Sequence, residues 1–492
     1  MLNLGFSFED LYARDGLSRI DAAFVAHVKA ADTELHNRFM AARAEPAVLS
    51  DKDHSELLIA LARHAEDFTG ELFGIGQEIL ALAERHHHLA PLYACKRLFV
   101  QRRASKSLKP EEAERVDGPM LLALLPIVSA DDPYFELVFA KVVMGWLEEE
   151  AQHASLLAVA GRYAAWALYS EAGRAKHAKG ILFKQPRKID PAHLIAVETE
   201  LRDGVLVQKL PAAHLRAREG FKLTDDAGSL AQALDQAHYC ILCHKQGKDS
   251  CSKGMKEKDG AFKKNALDIT LAGCPLEEKI SEMNQLKSEG VPLGALAMVV
   301  VDNPMCAGTG HRICNDCMKS CIYQKQEPVN IPLVETHVLK DVLALPYGFE
   351  IYSLFTRWNP LNLKRPLMRA DTGYKVLVAG LGPAGYTLSH HLLNDGHTVV
   401  AIDGLKIEPL PERISGVTPS RARVAFEPIK DIQTLYEALD ERSLAGFGGV
   451  AEYGITVRWD KNYLKIIRLL LERRAQFSMI GGVRFGTSIT YE

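Results

Sequence analysis

Apolar residues recur at helical spacing through SELLIALARHAEDFTGELFGIGQEILALAERHHHLAPLYACKRLFVQ, residues 55–101, with little Gly or Pro to interrupt them. That pattern predicts helix. FELVFAKVVMGWLEEEAQHASLLAVAGRYAAWALYS, residues 135–170, repeats it, so residues 1–178 read as a helical domain. Between 179 and 225 the period shortens. HLIAVETELRDGVLVQKL sets β-branched runs on either side of Asp203-Gly204, which predicts a hairpin in a small β-containing segment. Residues 226–345 carry almost all the cysteines and read as helical. Residues 346–372, with several Pro residues and Trp358, read as a connector. From 373 to 492 a strand, a glycine turn, a helix and a second strand follow in order.

The chain has 492 residues, 47% hydrophobic and 25% charged, which suits a protein of about three globular domains. A net charge of −3 gives no basis for a nucleic-acid binder built on bulk positive charge. The first residues lack the basic stretch and apolar run of a secretory signal. Leu293–Val301, the longest apolar run, is too short to span a membrane. The expectation is a cytoplasmic protein with neither membrane nor nucleic-acid partners.

Eight of the nine cysteines lie between 240 and 321. Clustered cysteines in such a chain point to metal rather than to disulfides. Their order is Cys240-x2-Cys243-x7-Cys251-x22-Cys274-Pro275, then Cys306-x7-Cys314-x2-Cys317-x3-Cys321. Eight thiolates can supply two [4Fe–4S] clusters with four ligands each, and a cysteine followed by proline recurs in ferredoxin-type runs. Structural zinc on the two Cys-x-x-Cys pairs is the alternative. Pro275 suits the first turn of a helix, LEEKISEMNQLKSEG, that would start beside a cluster and end at Gly290.

Tyr374-Lys-Val-Leu-Val-Ala runs into Gly380-x-Gly382-Pro383-Ala384-Gly385, a glycine triplet opening the helix YTLSHHLLNDG. The second strand ends at Asp403, 23 residues after Gly380. Glycines there admit a pyrophosphate to the backbone at a helix N-terminus, and the acid can accept from ribose hydroxyls. This order predicts dinucleotide binding and leaves FAD and NAD both open.

CILCHKQGKDSC, GCPLEEKISEMNQLKSEGVPLGALAMVVVDNPMCAG and CNDCMKSCIYQKQEPVNIPLVE resemble the N-terminal iron–sulfur domain of the glutamate synthase small subunit and of dihydropyrimidine dehydrogenase. The resemblance implies that Cys240, Cys243, Cys251 and Cys321 hold one cluster and Cys274, Cys314 and Cys317 the other. Cys306 or Glu335 would be the fourth ligand of the second. It extends over GFGGVAEYGITVRWDKNYLKIIRLLLERRAQFSMIGGVRFG, which implies FAD, with Gly448, Gly449, Gly454 and Ile455 near its ring system. It further implies an NADPH or NADH domain beyond Glu492, so that the chain, which stops just after the strand VRFGTSI, holds only the first part of a Rossmann-like FAD domain.

The expected fold is therefore multidomain: helical N-terminal and iron–sulfur domains, then part of an α/β Rossmann-like domain. The expected function is an FAD-dependent NAD(P)H oxidoreductase piece that passes electrons between FAD and two [4Fe–4S] clusters to a partner domain or subunit. A zinc and dinucleotide-binding regulatory protein is the alternative. Glu84-x-x-His87 and Glu150-x-x-His153 could serve a di-iron bundle but also suit solvated helix faces, and the second reading is preferred. The basic run Lys96, Arg97, Arg102, Arg103, Lys106, Lys109 reads as an exposed face, with docking of an acidic partner the minority reading. Cys95 reads as a buried small hydrophobe.

Overall fold

The computed structural model describes residues 1–127, 132–215, 217, 228–405, 407–438 and 460–492. The chain is multidomain and largely helical, with two small sheets among the described residues. Four helices open it: α1 (Arg14–Ala31), α2 (Thr33–Ala44), α3 (Asp51–Phe73) and α4 (Gly76–Cys95). The Ser50 hydroxyl caps α3 by accepting from the Asp53 amide at 3.2 Å. Gly74 ends it in the left-handed region at φ +67°. That glycine divides the periodic run of residues 55–101 into two helices.

Residues 1–178 do not share one core. Phe24, Phe39, Leu61 and Phe68 belong to a hydrophobic cluster that continues through Leu296, Val338 and Tyr352 to Ile467. Residues from Leu92 to Phe183, including α5 (Phe135–Glu148) and α6 (Ala154–Tyr169), form a second cluster that draws in Leu234, with Leu230 and Ala231 packed against it, from beyond. Strands β1 (Glu198–Arg202) and β2 (Val205–Lys209) pair antiparallel. They turn at Asp203 (φ +50°) and Gly204 (φ +82°), where a two-residue hairpin needs left-handed backbone.

The cysteine segment is framed by α7 (Leu230–Tyr239), α8 (Ile280–Glu289), α9 (Pro292–Asp302) and α10 (Ile331–Leu343). Helix α8 ends at Gly290, φ +75°, but it starts at Ile280, not at Pro275. The Cys274 carbonyl accepts from the Glu277 amide and Glu277 is left-handed at φ +52°, so a turn separates the proline from the helix. The segment read as a connector holds α11 (Gly348–Arg357), every residue of which is buried. Its Pro residues and Trp358 flank a core helix.

Strands β3 (Lys375–Ala379), β4 (Thr398–Asp403) and β5 (Phe477–Gly481) form a parallel sheet in that order, with α12 (Pro383–Asn394) linking β3 to β4 and α13 (Asn462–Glu472) preceding β5. VRFGTSI is not a strand: residues 482–489 fold into a turn closed by a single bridge between Phe485 and Ile489. The cysteine segment lies between the other parts. A Cβ on Gly294 of α9 would stand 2.7 Å from the Ala62 carbonyl of α3. A Cβ on Gly308 would stand 2.3 Å from Ile467 of α13 and 2.4 Å from the Tyr386 hydroxyl of α12.

Candidate functional site

The eight cysteines sort into two groups. Burial raises the Cys240 thiol to about 11 and Cys243 to about 12, with Asp249 and Cys321 adding to the rise in both. Cys251 is 8% and Cys321 2% exposed. A hydrogen bond between their sulfurs pulls Cys321 down to about 7 and pushes Cys251 up. Cys251 also feels Cys240, so these four form one electrostatic set. Asn284 of α8 is completely buried, and its side-chain oxygen has no hydrogen-bond partner among the described residues. It stands against Cys240, whose thiol it draws down against the larger push of burial.

The second set gathers around carboxyls. Burial, with Glu278 and Glu335 adding to it, raises Cys274 to about 12. The Cys317 thiol is lifted by burial, Glu278, Glu335, Cys274 and Cys314, in that order. Cys306 is buried with its Sγ 3.5 Å from the Tyr352 hydroxyl, and burial and Glu335 raise it. Cys314 is exposed. Glu278 and Glu335 are both buried and hydrogen-bond one another; burial lifts Glu278 to about 7 and Glu335 well above its ordinary range. Each carboxylate disfavours ionisation of the other in this buried setting.

The two sets touch through backbone. The Cys274 amide donates to the Cys251 carbonyl at 2.8 Å. Gly273, at φ +83°, lets this happen: a Cβ there would lie 2.4 Å from the Gly254 nitrogen and 2.5 Å from the Ser252 carbonyl. Among the described residues no three His, Cys, Asp or Glu side chains gather closely enough to hold a single metal ion.

The glycine turn is built as a close strand-to-helix approach. Gly380 has φ +97°, and its amide donates to the Ile402 carbonyl at 2.7 Å. Gly382 is the N-cap of α12 and Pro383 its first residue, with no side chain capping the helix. A Cβ on Gly385 would fall 1.8 Å from the Gly380 carbonyl, so only glycine fits, whereas a Cβ on Gly380 or Gly382 meets nothing within 4 Å. That open space beside uncapped amides, Ala384 and Gly385 among them, is where a pyrophosphate would lie. Asp403 accepts from the Leu381 and Leu405 amides, each at 2.9 Å, and so ties the end of β4 to the turn. Gly448, Gly449, Gly454 and Ile455 lie outside the described residues.

The remaining motifs take other roles. His87 bonds the Glu289 carbonyl at 2.9 Å, and Glu150 pairs with Arg103 at 2.8 Å. Cys95 is fully buried and burial raises its thiol. Glu278, Asn284 and Asp249 were missed by sequence reasoning. Glu278 carried one usable signal, an acid four residues after a candidate ligand. No described helix is long and apolar enough to cross a membrane.

A family model described as "RP005 N-terminal alpha-helical domain" matches residues 2–74. The chain is 32% identical over 302 residues to "Uncharacterized protein RP005" of Rickettsia prowazekii (strain Madrid E), covering 58% of this chain and 97% of that protein. It is 56% identical over 188 residues to "Uncharacterized protein RP006" of the same organism, 38% of this chain and 25% of that protein. The chain thus spans about a quarter of the length of RP006. These matches overturn the resemblance to the glutamate synthase small subunit and dihydropyrimidine dehydrogenase, since none of them carries an oxidoreductase or iron–sulfur description. Short cysteine and glycine motifs follow from the chemistry of holding a metal or a phosphate, so they recur on unrelated chains and do not establish descent.

Proposed function

The chain belongs to the RP005 family, and from that premise, with the relatives' names stating no activity, we propose that its own residues build an electron-transfer flavoprotein with two [4Fe–4S] clusters. The observation that carries the reading is the sorting of the thiols. Cys240, Cys243, Cys251 and Cys321 act on one another. Cys274, Cys314 and Cys317 gather with Cys306, Glu335 and Glu278. A four-iron cluster takes each ligand on a different iron, so its thiolates ring a volume rather than meet at a point.

When bound, the flavin would accept hydride and the clusters would store single electrons, a division of labour that favours FAD over NAD at the glycine turn and NADPH or NADH as reductant. The chain's own residues position these groups. Gly380 and Gly382 leave room for the pyrophosphate, Gly385 lets β3 and α12 close, and Asp403 keeps lone pairs free for a ribose. Asn284 offers an amide N–H to the sulfur of Cys240, the kind of bond that tunes a cluster's potential. Burial of Cys251, Cys306 and Cys321 keeps water from the ligands.

The test is elemental. Anaerobically purified protein is expected to contain about eight iron atoms and as many acid-labile sulfides per chain, with FAD released on denaturation. Protein reconstituted with iron and sulfide that still holds only zinc would overturn the reading.

A further inference from the structure

A cavity of about 820 Å³ opens beside the first thiol group, with Cys240 in its wall. It lies where the second hydrophobic cluster meets the cysteine segment: Tyr93 and Arg97 come from one side, Tyr239 and Tyr323 from the other. Its walls are aromatic. Tyr239 and Tyr323 stack with centroids 4.6 Å apart and planes 7° apart, and Tyr93 stacks on His238 at 4.6 Å.

Its charge is one-sided. The lining holds five cations, Lys96, Arg97, Arg102, Lys184 and Lys245, against two acids, Asp235 and Glu327. Both acids are engaged: Asp235 holds Lys96 at 2.7 Å, and Glu327 holds Arg187 at 2.7 Å. Arg97, Arg102 and Lys245 are exposed and form no ion pair among the described residues. A local excess of three positive charges thus stands on a chain whose net charge is −3. Apolar residues are exposed too: Ile241, in the lining, is 43% exposed, and Ile322, next in the chain to the lining residue Tyr323, is 49% exposed; each directly follows a first-group cysteine, Cys240 and Cys321.

We propose that this basic mouth is the docking face for an acidic one-electron carrier protein, placed over Cys240 and Cys321. The inference rests on the electron-transfer reading above and names its partner. Unpaired cations steer an acidic surface into encounter, and the exposed isoleucines give a small apolar contact that desolvates, as in transient electron-transfer complexes. With a cluster held by Cys240, Cys243, Cys251 and Cys321, each encounter would pass one electron to or from the carrier's own redox centre, and the electron pair of a hydride from a reduced nicotinamide would serve two encounters. No proton or bond changes hands at the face.

The experiment measures binding, independently of turnover. A plant-type [2Fe–2S] ferredoxin serves as the acidic probe and cytochrome c as the basic control, titrated calorimetrically into protein whose iron content is determined on the same sample. The expected result is ferredoxin binding that weakens steeply with salt and no binding of cytochrome c. Arg97→Ala/Arg102→Ala/Lys245→Ala is expected to weaken ferredoxin binding roughly tenfold with iron content unchanged. The exposed pair Lys52→Ala/Arg413→Ala, away from the cavity, is expected to leave it unchanged. Equal affinity in the triple variant, or binding confined to a small planar anion such as FMN, would overturn the proposal. Zinc in place of iron would instead fail the electron-transfer reading, so the two failures are told apart by the metal assay.

Discussion

Arg473 Nη1 lies 2.8 Å from Glu350 Oε1 with both side chains withdrawn from solvent. The Tyr12 hydroxyl donates to the other carboxylate oxygen at 2.8 Å and accepts from the same arginine at 3.0 Å. One ion pair and its tyrosine therefore join the segment before α1, the buried helix α11 and the end of α13. Removing one member leaves a buried charge without its partner, which costs about 3–5 kcal/mol. Glu350→Ala is expected to destabilise the chain by that amount in denaturant unfolding, and Glu350→Gln by less, because the amide keeps part of the hydrogen bonding. An alanine variant within about 1 kcal/mol of the parent would show that the joint is not held by this pair.

Glu66 gives a pH signature. It accepts from the Leu293 amide at 2.7 Å, yet burial outweighs that bond and lifts its carboxyl from 4.5 to about 8. The folded state thus binds this proton more tightly than the unfolded chain. Its contribution to stability is fully present below pH 4.5 and is lost as pH rises through about 8. Glu66→Gln is expected to gain stability relative to the parent across that window. Parallel stability curves for the two proteins from pH 5 to 9 would refute the assignment.

The turn predicts its own sensitivity. Gly385→Ala forces a methyl group against the Gly380 carbonyl, 1.8 Å away, and is expected to weaken FAD binding at least tenfold while the far-ultraviolet circular dichroism stays near native. Flavin fluorescence quenching reads the affinity. Undiminished binding would place the dinucleotide elsewhere.

Ligand choice in the second thiol group separates two side chains. Cys314→Ser is expected to lose about four of eight irons. Cys306→Ser is expected to be milder, since Glu335 sits buried beside it and can serve as the fourth ligand. A Glu335→Ala protein with unchanged iron content and absorption spectrum would assign the position to Cys306.

Much was legible in the residues because it is local. Helical periodicity marked α3, α4, α5 and α6, and Asp203-Gly204 and Gly290 marked a hairpin turn and a helix end, since left-handed backbone selects these residues. The glycine triplet likewise announced a close strand-to-helix turn. Less local features escaped. Helix α11 hid among Pro residues and Trp358 because its burial depends on neighbours far along the chain. Pro275 suggested a helix start, but the backbone joining Cys274 to Cys251 needs a turn there.

By itself, then, the sequence determined the ladder of thiols, the glycine turn and the kinds of local backbone around them, because spacing and conformational preference act over a few residues. Only the tertiary structure decided that Glu278 and Asn284 stand beside the cysteines, that the N-terminal helices share a core with the cysteine segment, and that unpaired cations from α4 onward overlook Cys240. Those relationships come from burial and long-range packing, which bring together residues that no sequence interval connects.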